Sequence, residues 1–186
     1  MMLRGIVILL FSLSAAKASL YGQYALYYSS DSADTETLES SQMRNNIFIG
    51  ADFGKNKQWV IGQNILIWSK SETNGSGDPF ELSIMELGPR FQYFFNQTRT
   101  VFVSATYNLY AKGDITSAGE TKEVSGSSYF VNLGYLFKAS KAFYFGVSLN
   151  YHSLSISEKV VGTEKSTGTE SYTNIYPAIE VSIRFR

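Results

Sequence analysis

A two-residue alternation of apolar and polar side chains runs through the chain from Leu20 almost to its last residue. Successive side chains of a β-strand point to opposite faces, so this period indicates strands whose two faces meet different surroundings. No stretch combines the 3.6-residue spacing of a helix with capping residues. We therefore predict an all-β fold with eight strands, at 20–29, 44–54, 58–69, 81–95, 100–111, 126–137, 142–156 and 171–186.

The connections between these strands alternate strictly in length. Three are short, at 55–57, 96–99 and 139–141, and four are long and polar, at 30–43, 70–80, 112–125 and 157–170. Short periplasmic turns, long external loops and two periplasmic termini are typical of outer-membrane barrels. Pairing the first strand with the last would leave no unpaired edge in lipid. The pattern predicts an eight-stranded antiparallel up-and-down transmembrane β-barrel with four long external loops.

The two faces of the predicted strands differ in chemistry. One face has aliphatic residues in the strand middles and aromatic residues near the ends, which fits a hydrocarbon band between two aromatic belts. The other face mixes glycine and small polar residues with a few charges, which suits the narrow interior of an eight-stranded barrel. We expect the apolar face to meet lipid, with interface aromatics at Phe53, Trp59, Tyr93, Phe95, Phe137, Phe143 and Phe185.

The third predicted strand fits this scheme least well. Leu66 and Trp68 fall on its polar side, and a β-bulge would restore the register. Alternation alone also leaves open a secreted, lipocalin-like soluble barrel with its apolar face inward.

Charged residues on the polar face are the candidates for an interior network. Buried charges are tolerated when they are paired and hydrogen-bonded, so we expect carboxylates and guanidiniums to meet there. We favour a structural role for them over a proton or ion path. The predicted network consists of Asp52, Glu86, Arg90, Glu180 and Arg184. The chain has no cysteine, and we predict no catalytic residue, metal site or cofactor.

The first 18 residues have the pattern of a cleaved signal peptide. Arg4 precedes an apolar stretch at 5–16, and Ala16, Lys17 and Ala18 form a small-x-small cleavage site. The apolar stretch is shorter than the roughly 20 residues that a membrane-spanning helix needs. We expect residues 19–186 to form one barrel domain that begins directly after the cut. The chain has 16 basic and 16 acidic residues, a balance that does not suggest nucleic-acid binding.

Charge divides the two sets of connections. The long loops are rich in acidic residues, whereas the short turns carry only basic ones, at Lys55, Lys57, Arg99 and Lys141. Solubility of the loops explains the acidic excess more simply than a binding role.

The only histidine, His152, lies in a segment with Ser153 and Glu158. A His, a Ser and a Glu near the outer end of the penultimate strand resemble the lipid A deacylase barrels, in which the Ser follows the His by two residues on the lipid face. Here position 154 is Leu, Ser153 would point to the opposite face from its neighbour, and His152 falls on the lumen side. We predict an interior histidine and no enzyme.

The signal segment, the eight alternating strands and the closing segment 176–186 together resemble the small OmpA/OmpX-type barrels and the outer membrane protein β-barrel family. The resemblance implies an integral protein of the bacterial outer membrane with a structural, surface-display or adhesion role. The implied partners are outer-membrane lipids, lipopolysaccharide, the barrel-assembly machinery during insertion and a cell-surface ligand. A narrow channel for small solutes and a lipid A-modifying enzyme remain the alternative functions.

Overall fold

A computed structural model describes residues 18–33, 38–54, 56–73, 79–162 and 164–185. The predicted signal peptide lies almost wholly outside this part of the chain. The strands pair in sequence order into a closed antiparallel barrel, which confirms the predicted fold class. They are β1 (Leu20–Ala33), β2 (Leu38–Phe53), β3 (Trp59–Thr73), β4 (Pro79–Phe94), β5 (Val101–Ser117), β6 (Glu120–Lys138), β7 (Phe143–Val161) and β8 (Glu164–Arg184). No helix among the described residues is long and apolar enough to cross a membrane.

The strands continue far into the segments predicted as long loops. The segments 112–125 and 157–170, predicted as long polar loops, are mostly strand, because β5–β6 and β7–β8 are paired almost to their tips. Ala118 and Gly119 both have positive φ, at 51° and 79°, as a two-residue type I′ hairpin turn requires. Polar residues that alternate with Val and Ile can still form paired strands where no core packs against them. At the same end, β1 and β2 reach 33 and 38, and β3 and β4 reach 73 and 79.

The third strand contains no β-bulge. β3 pairs without interruption with both neighbours, and Leu66 and Trp68 lie buried inside the barrel. The interior accepts them because it is apolar near the outer end. A register shift occurs instead in β5, where Leu109 and Tyr110 both point outward. Such an insertion raises the local twist and bends the strand.

The outer surface of the barrel is an apolar band between two aromatic belts. The band is formed by residues such as Val147, Leu149 and Ile179, which are 56–64% exposed. Along β6, Tyr129 stands at the outer edge of the band and Phe137 at the edge near the short turns. With about 3.3 Å per residue and a tilt of about 40°, these belts are about 20 Å apart in height, near the ~25 Å typical of membrane barrels.

The seam between the first and last strands is short. β1 pairs with β8 only from Tyr21 opposite Arg184 to Leu26 opposite Ile179. By contrast, β7 and β8 pair from 143 to 161. Beyond Leu26 the β7–β8 hairpin therefore extends outward without β1 beside it.

Candidate functional site

Two apolar clusters fill the ends of the barrel interior. The turn-end cluster lies near the short turns and consists of Tyr21, Phe48, Val60, Phe94, Phe102, Leu136 and Tyr144. The outer-end cluster lies toward the long hairpins and consists of Trp68, Leu82, Ile84, Ala111, Ile115, Val124, Leu154 and Ile156. Charged and amide side chains occupy the space between them. The interior is thus a packed core with a polar middle.

Glu86 is the acceptor at the outer side of this polar middle. Its Oε2 accepts hydrogen bonds from Asn108 Nδ2 at 3.0 Å, from His152 Nε2 at 3.0 Å, and from the hydroxyl of Ser128. Glu86 and His152 are both fully buried. A buried carboxylate is tolerated when several donors replace its water shell.

Arg44 extends this pair to a chain of three hydrogen-bonded side chains. Its Nη1 lies 3.0 Å from Nδ1 of His152. Because a guanidinium has donors only, Nδ1 must be the accepting nitrogen, so the proton is assigned to Nε2, which faces Glu86. His152 is therefore a neutral imidazole between a cation and an anion. The Arg44 guanidinium also lies between the rings of Trp68 and Tyr176, at 4.2 and 4.3 Å from their centroids.

Arg90 and Glu180 are connected through an amide rather than by direct contact. Arg90 Nη2 donates to Asn132 Oδ1 at 3.2 Å, and Asn132 Nδ2 donates to Glu180 Oε1 at 3.4 Å. Glu180 also accepts from Gln23 at 2.6 Å and from Ser148 at 2.5 Å. The two charges thus share a hydrogen-bonded middle layer.

Asp52 lies at the turn end, next to the turn-end cluster. Its Oδ2 accepts from Arg99 Nη1 at 2.8 Å, and its Oδ1 accepts from the backbone N–H of Ser19 at 2.7 Å. Lys57 Nζ lies 3.8 Å from Oδ1. Arg184 donates to the backbone carbonyl of Arg99 and lies 3.7 Å above the Tyr144 ring.

All five predicted network residues lie inside the barrel, but they form three separate groups. Within the described chain, no direct ion pair joins any two of them. Sequence reasoning missed Arg44 and Arg99: Arg99 pairs directly with Asp52, and Arg44 is connected to Glu86 through His152. Arg44 falls at the start of the predicted second strand, and Arg99 falls in a predicted short turn. The alternation of β2 would have placed Arg44 inward beside Asn46; no pattern indicates the inward turn of Arg99.

The seven predicted interface aromatics lie together around the turn end of the barrel, on its outer face. Trp59 lies 4.2 Å from Tyr93 and 5.0 Å from Phe91 between ring centroids, and Phe137 stacks on Phe145 at 5.5 Å. The opposite belt was not predicted residue by residue. It is built mainly of tyrosines at 24, 28, 107, 110, 129 and 151.

Beyond this tyrosine belt, ion pairs line the long hairpins. Lys159 and Glu170 face each other across β7–β8, and the hydrogen bond from Lys159 lowers the pKa of the Glu170 carboxyl. A lowered pKa means that the pair stabilises the hairpin above the ordinary carboxyl pKa, and that this is lost as pH falls through the lowered value. The pair is exposed, so its contribution is below about 1 kcal/mol.

Replacement of Lys159 by alanine is expected to raise the pKa of Glu170 toward that of a free glutamate, because the donor is lost. NMR titration of the side-chain carboxyl would measure the change. Lys165→Ala is the matched control, since Lys165 pairs with Glu158 at 2.9 Å. An equal shift of the Glu170 pKa in both variants would contradict the pairing.

No group of three or more potential metal-ligating residues occurs in the part of the chain that the structure describes. No family model matches the chain, and no curated protein matches it. Among solved structures, it is similar to the beta domain of the Bordetella autotransporter BrkA, with 10% identity and a TM-score of 0.46 over 90% of this chain and 98% of that one. It is also similar to the translocator domain of the autotransporter NalP from Neisseria meningitidis, with 11% identity and a TM-score of 0.38 over 97% of this chain and 67% of that one. The fold assignment rests on the strand pairing itself.

Proposed function

We propose that the protein is an integral barrel of the bacterial outer membrane whose rigid hairpins act in surface display or adhesion. The observation that carries the membrane location is the apolar band between two aromatic belts on the outside of a closed barrel. Soluble monomers rarely expose contiguous apolar patches larger than a few hundred Å². A lipocalin-like carrier would instead hold its apolar face inside, around a ligand cavity.

The proposed orientation places the short turns and both described chain ends in the periplasm and the long hairpins outside. The proposed partners are the surrounding lipids and lipopolysaccharide, the barrel-assembly machinery during insertion, and a ligand at the cell surface. Nothing in the charge balance favours nucleic acid.

The display role is supported by the length of the hairpins and by the strand pairing that continues almost to their tips. β7 continues from His152 to Val161 beyond the tyrosine belt, about 30 Å of strand. Cross-strand ion pairs, such as Lys112 with Glu123 and Lys165 with Glu158, decorate these hairpins. A projection of this kind can present a fixed charged surface to a partner without moving the barrel.

Two measurements test this proposal in cells that express the full chain. The protein should stay with the outer-membrane fraction after an alkaline carbonate wash, and its release would refute the membrane location. Deletion of residues 157–169 should reduce attachment to surfaces or to other cells and leave membrane retention intact. Deletion of residues 114–123 shortens the β5–β6 hairpin instead and tests whether attachment depends on one hairpin or on both. Unchanged attachment in both deletions would refute the display role.

A conduit for small solutes is the second candidate, and the packed interior argues against it. Phe48 and Leu136 at one end and Leu154 at the other are fully buried, so apolar side chains occupy both ends of the interior. We expect no steady open state of the purified barrel in planar bilayers. A lipid A-modifying activity is disfavoured because His152 bonds Arg44 and Glu86 inside the barrel, away from the lipid face.

A further inference from the structure

The turn end of the barrel contains a cavity whose described lining carries an excess of positive charge. Its volume is about 500 Å³. Ser19, Thr98 and Thr100 contribute polar groups to its lining. We define its charged lining as the basic mouth: Lys57, Arg99, Lys138, Lys141 and Arg184, opposed within the described lining by the single carboxylate of Asp52.

The two arginines of the basic mouth are only partly neutralised. Asp52 accepts one hydrogen bond from Arg99, through Nη1. Nε and Nη2 of Arg99 and Nε of Arg184 have no hydrogen-bond partner among the described residues. Both guanidiniums are about nine-tenths buried and lie 5.0 Å from the centroid of the Phe94 ring. Two buried cations that share one carboxylate make this end of the barrel an attractive place for a further anion.

The lysines provide the accessible part of the basic mouth. Lys138 and Lys141 are exposed at the end of β6 and in the turn that follows it. The flexible ammonium groups can reach an anion over the cavity while the guanidiniums stay fixed on their rings. Arginine and lysine are the side chains that most often bind phosphate, through charge-assisted hydrogen bonds.

The position of the cavity indicates the source of such a phosphate. Tyr135 and Phe185 line it as well, and both are about half exposed on the outer, apolar wall. Aromatic residues of this kind lie at the level of lipid headgroups in membrane barrels. The cavity therefore opens where the headgroup layer would meet the barrel, and acyl chains could lie on the wall beside Phe185.

We propose that the basic mouth binds the phosphate of an anionic phospholipid of the periplasmic leaflet. The proposal rests on the membrane location given under Proposed function. A bound headgroup would supply the negative charge that Asp52 alone does not, and it would tie the turn end of the barrel to the membrane surface.

The test uses the refolded full-length barrel in neutral detergent, titrated with phosphatidylglycerol, with phosphatidylcholine or with inorganic phosphate. Binding is followed by native mass spectrometry. The double variant Lys138→Gln/Lys141→Gln removes accessible charge outside the packed core, and Lys122→Gln/Lys165→Gln removes the same charge from the outer hairpins. At low salt each lysine near a surface contributes about 1 kcal/mol, which is about fivefold in affinity.

We expect phosphatidylglycerol to bind more tightly than phosphatidylcholine, and we expect the Lys138/Lys141 variant to lose roughly twentyfold or more of that affinity. The hairpin variant should bind like the parent. Equal losses in both double variants, or none in the first, would overturn the site. Competition by millimolar phosphate alone would overturn the lipid as the source. Release of the protein from membranes by carbonate would refute the membrane location instead, and it is measured independently of the titration.

Discussion

Replacement of Glu86 by leucine is expected to lower the free energy of unfolding by about 3–5 kcal/mol, the usual cost of leaving a buried cation without its counter-charge. The carboxylate accepts three hydrogen bonds on one oxygen, and its loss leaves the donors of Asn108, Ser128 and His152 without that acceptor. The Arg44 cation on the far side of the imidazole also loses its counter-charge.

The temperature at which the folded band converts to the unfolded band in SDS gels would measure this effect, together with urea unfolding in detergent. Glu81→Leu is the matched control, because Glu81 is an exposed glutamate of the same strand. Glu86→Gln keeps an acceptor oxygen of the same size and should fall between parent and leucine variant. If Glu86→Leu and Glu81→Leu had the same unfolding temperature and free energy of unfolding, the Arg44–His152–Glu86 hydrogen-bonded chain would have no stabilising role.

Gly146→Ala is expected to be among the most damaging single-methyl changes in the barrel wall. A Cβ built at Gly146 would lie 1.9 Å from the carbonyl oxygen of Tyr135 and 2.9 Å from Cα of Leu136. Both contacts are backbone, so β6 and β7 would have to move apart. Overpacking of this kind costs about 1–3 kcal/mol and sometimes more.

Gly22→Ala is the control for loss of a strand glycine. A Cβ at Gly22 would meet nothing within 4 Å. Because alanine also restricts the unfolded chain, this variant should be as heat-resistant as the parent or slightly more so. Equal loss of heat resistance in both variants would indicate a general requirement for strand glycine, and the steric explanation would then fail.

The alternation of side chains was sufficient to predict the strand number, the barrel and the orientation of most residues, because period two leaves only one inward set for each strand. Trp68 shows where that inference weakened. A uniformly polar interior would predict a bulge at an inward Trp. The interior is instead apolar at both ends, so Trp68 fits there without one. Polarity of a face therefore predicts strand orientation only where the lumen itself is uniform.

The partners within the interior could not be predicted in the same way. Which carboxylate meets which cation depends on the strand register around the barrel. Arg44 and His152, for example, are in contact although they are 108 positions apart in the sequence. Arg99 enters the barrel from a turn with a φ of 58°, which no strand period describes. Charged and polar residues in the long hairpins predict loops because they indicate solvent exposure, but exposure does not exclude strand pairing.

The short seam has a consequence for the order in which the ring assembles. Seven strand pairings join strands that are neighbours in sequence. Each can form outward from its turn at a small cost in loop-closure entropy. The eighth joins residues as far apart as Tyr21 and Arg184, and a side-chain hydrogen bond also links Gln23 to Glu180 across it. An unclosed sheet would have two edge strands whose free backbone N–H and C=O groups find no hydrogen-bond partners in lipid. The hairpins can therefore form one at a time, but the chain becomes compatible with the bilayer only when residues 21–26 meet 179–184.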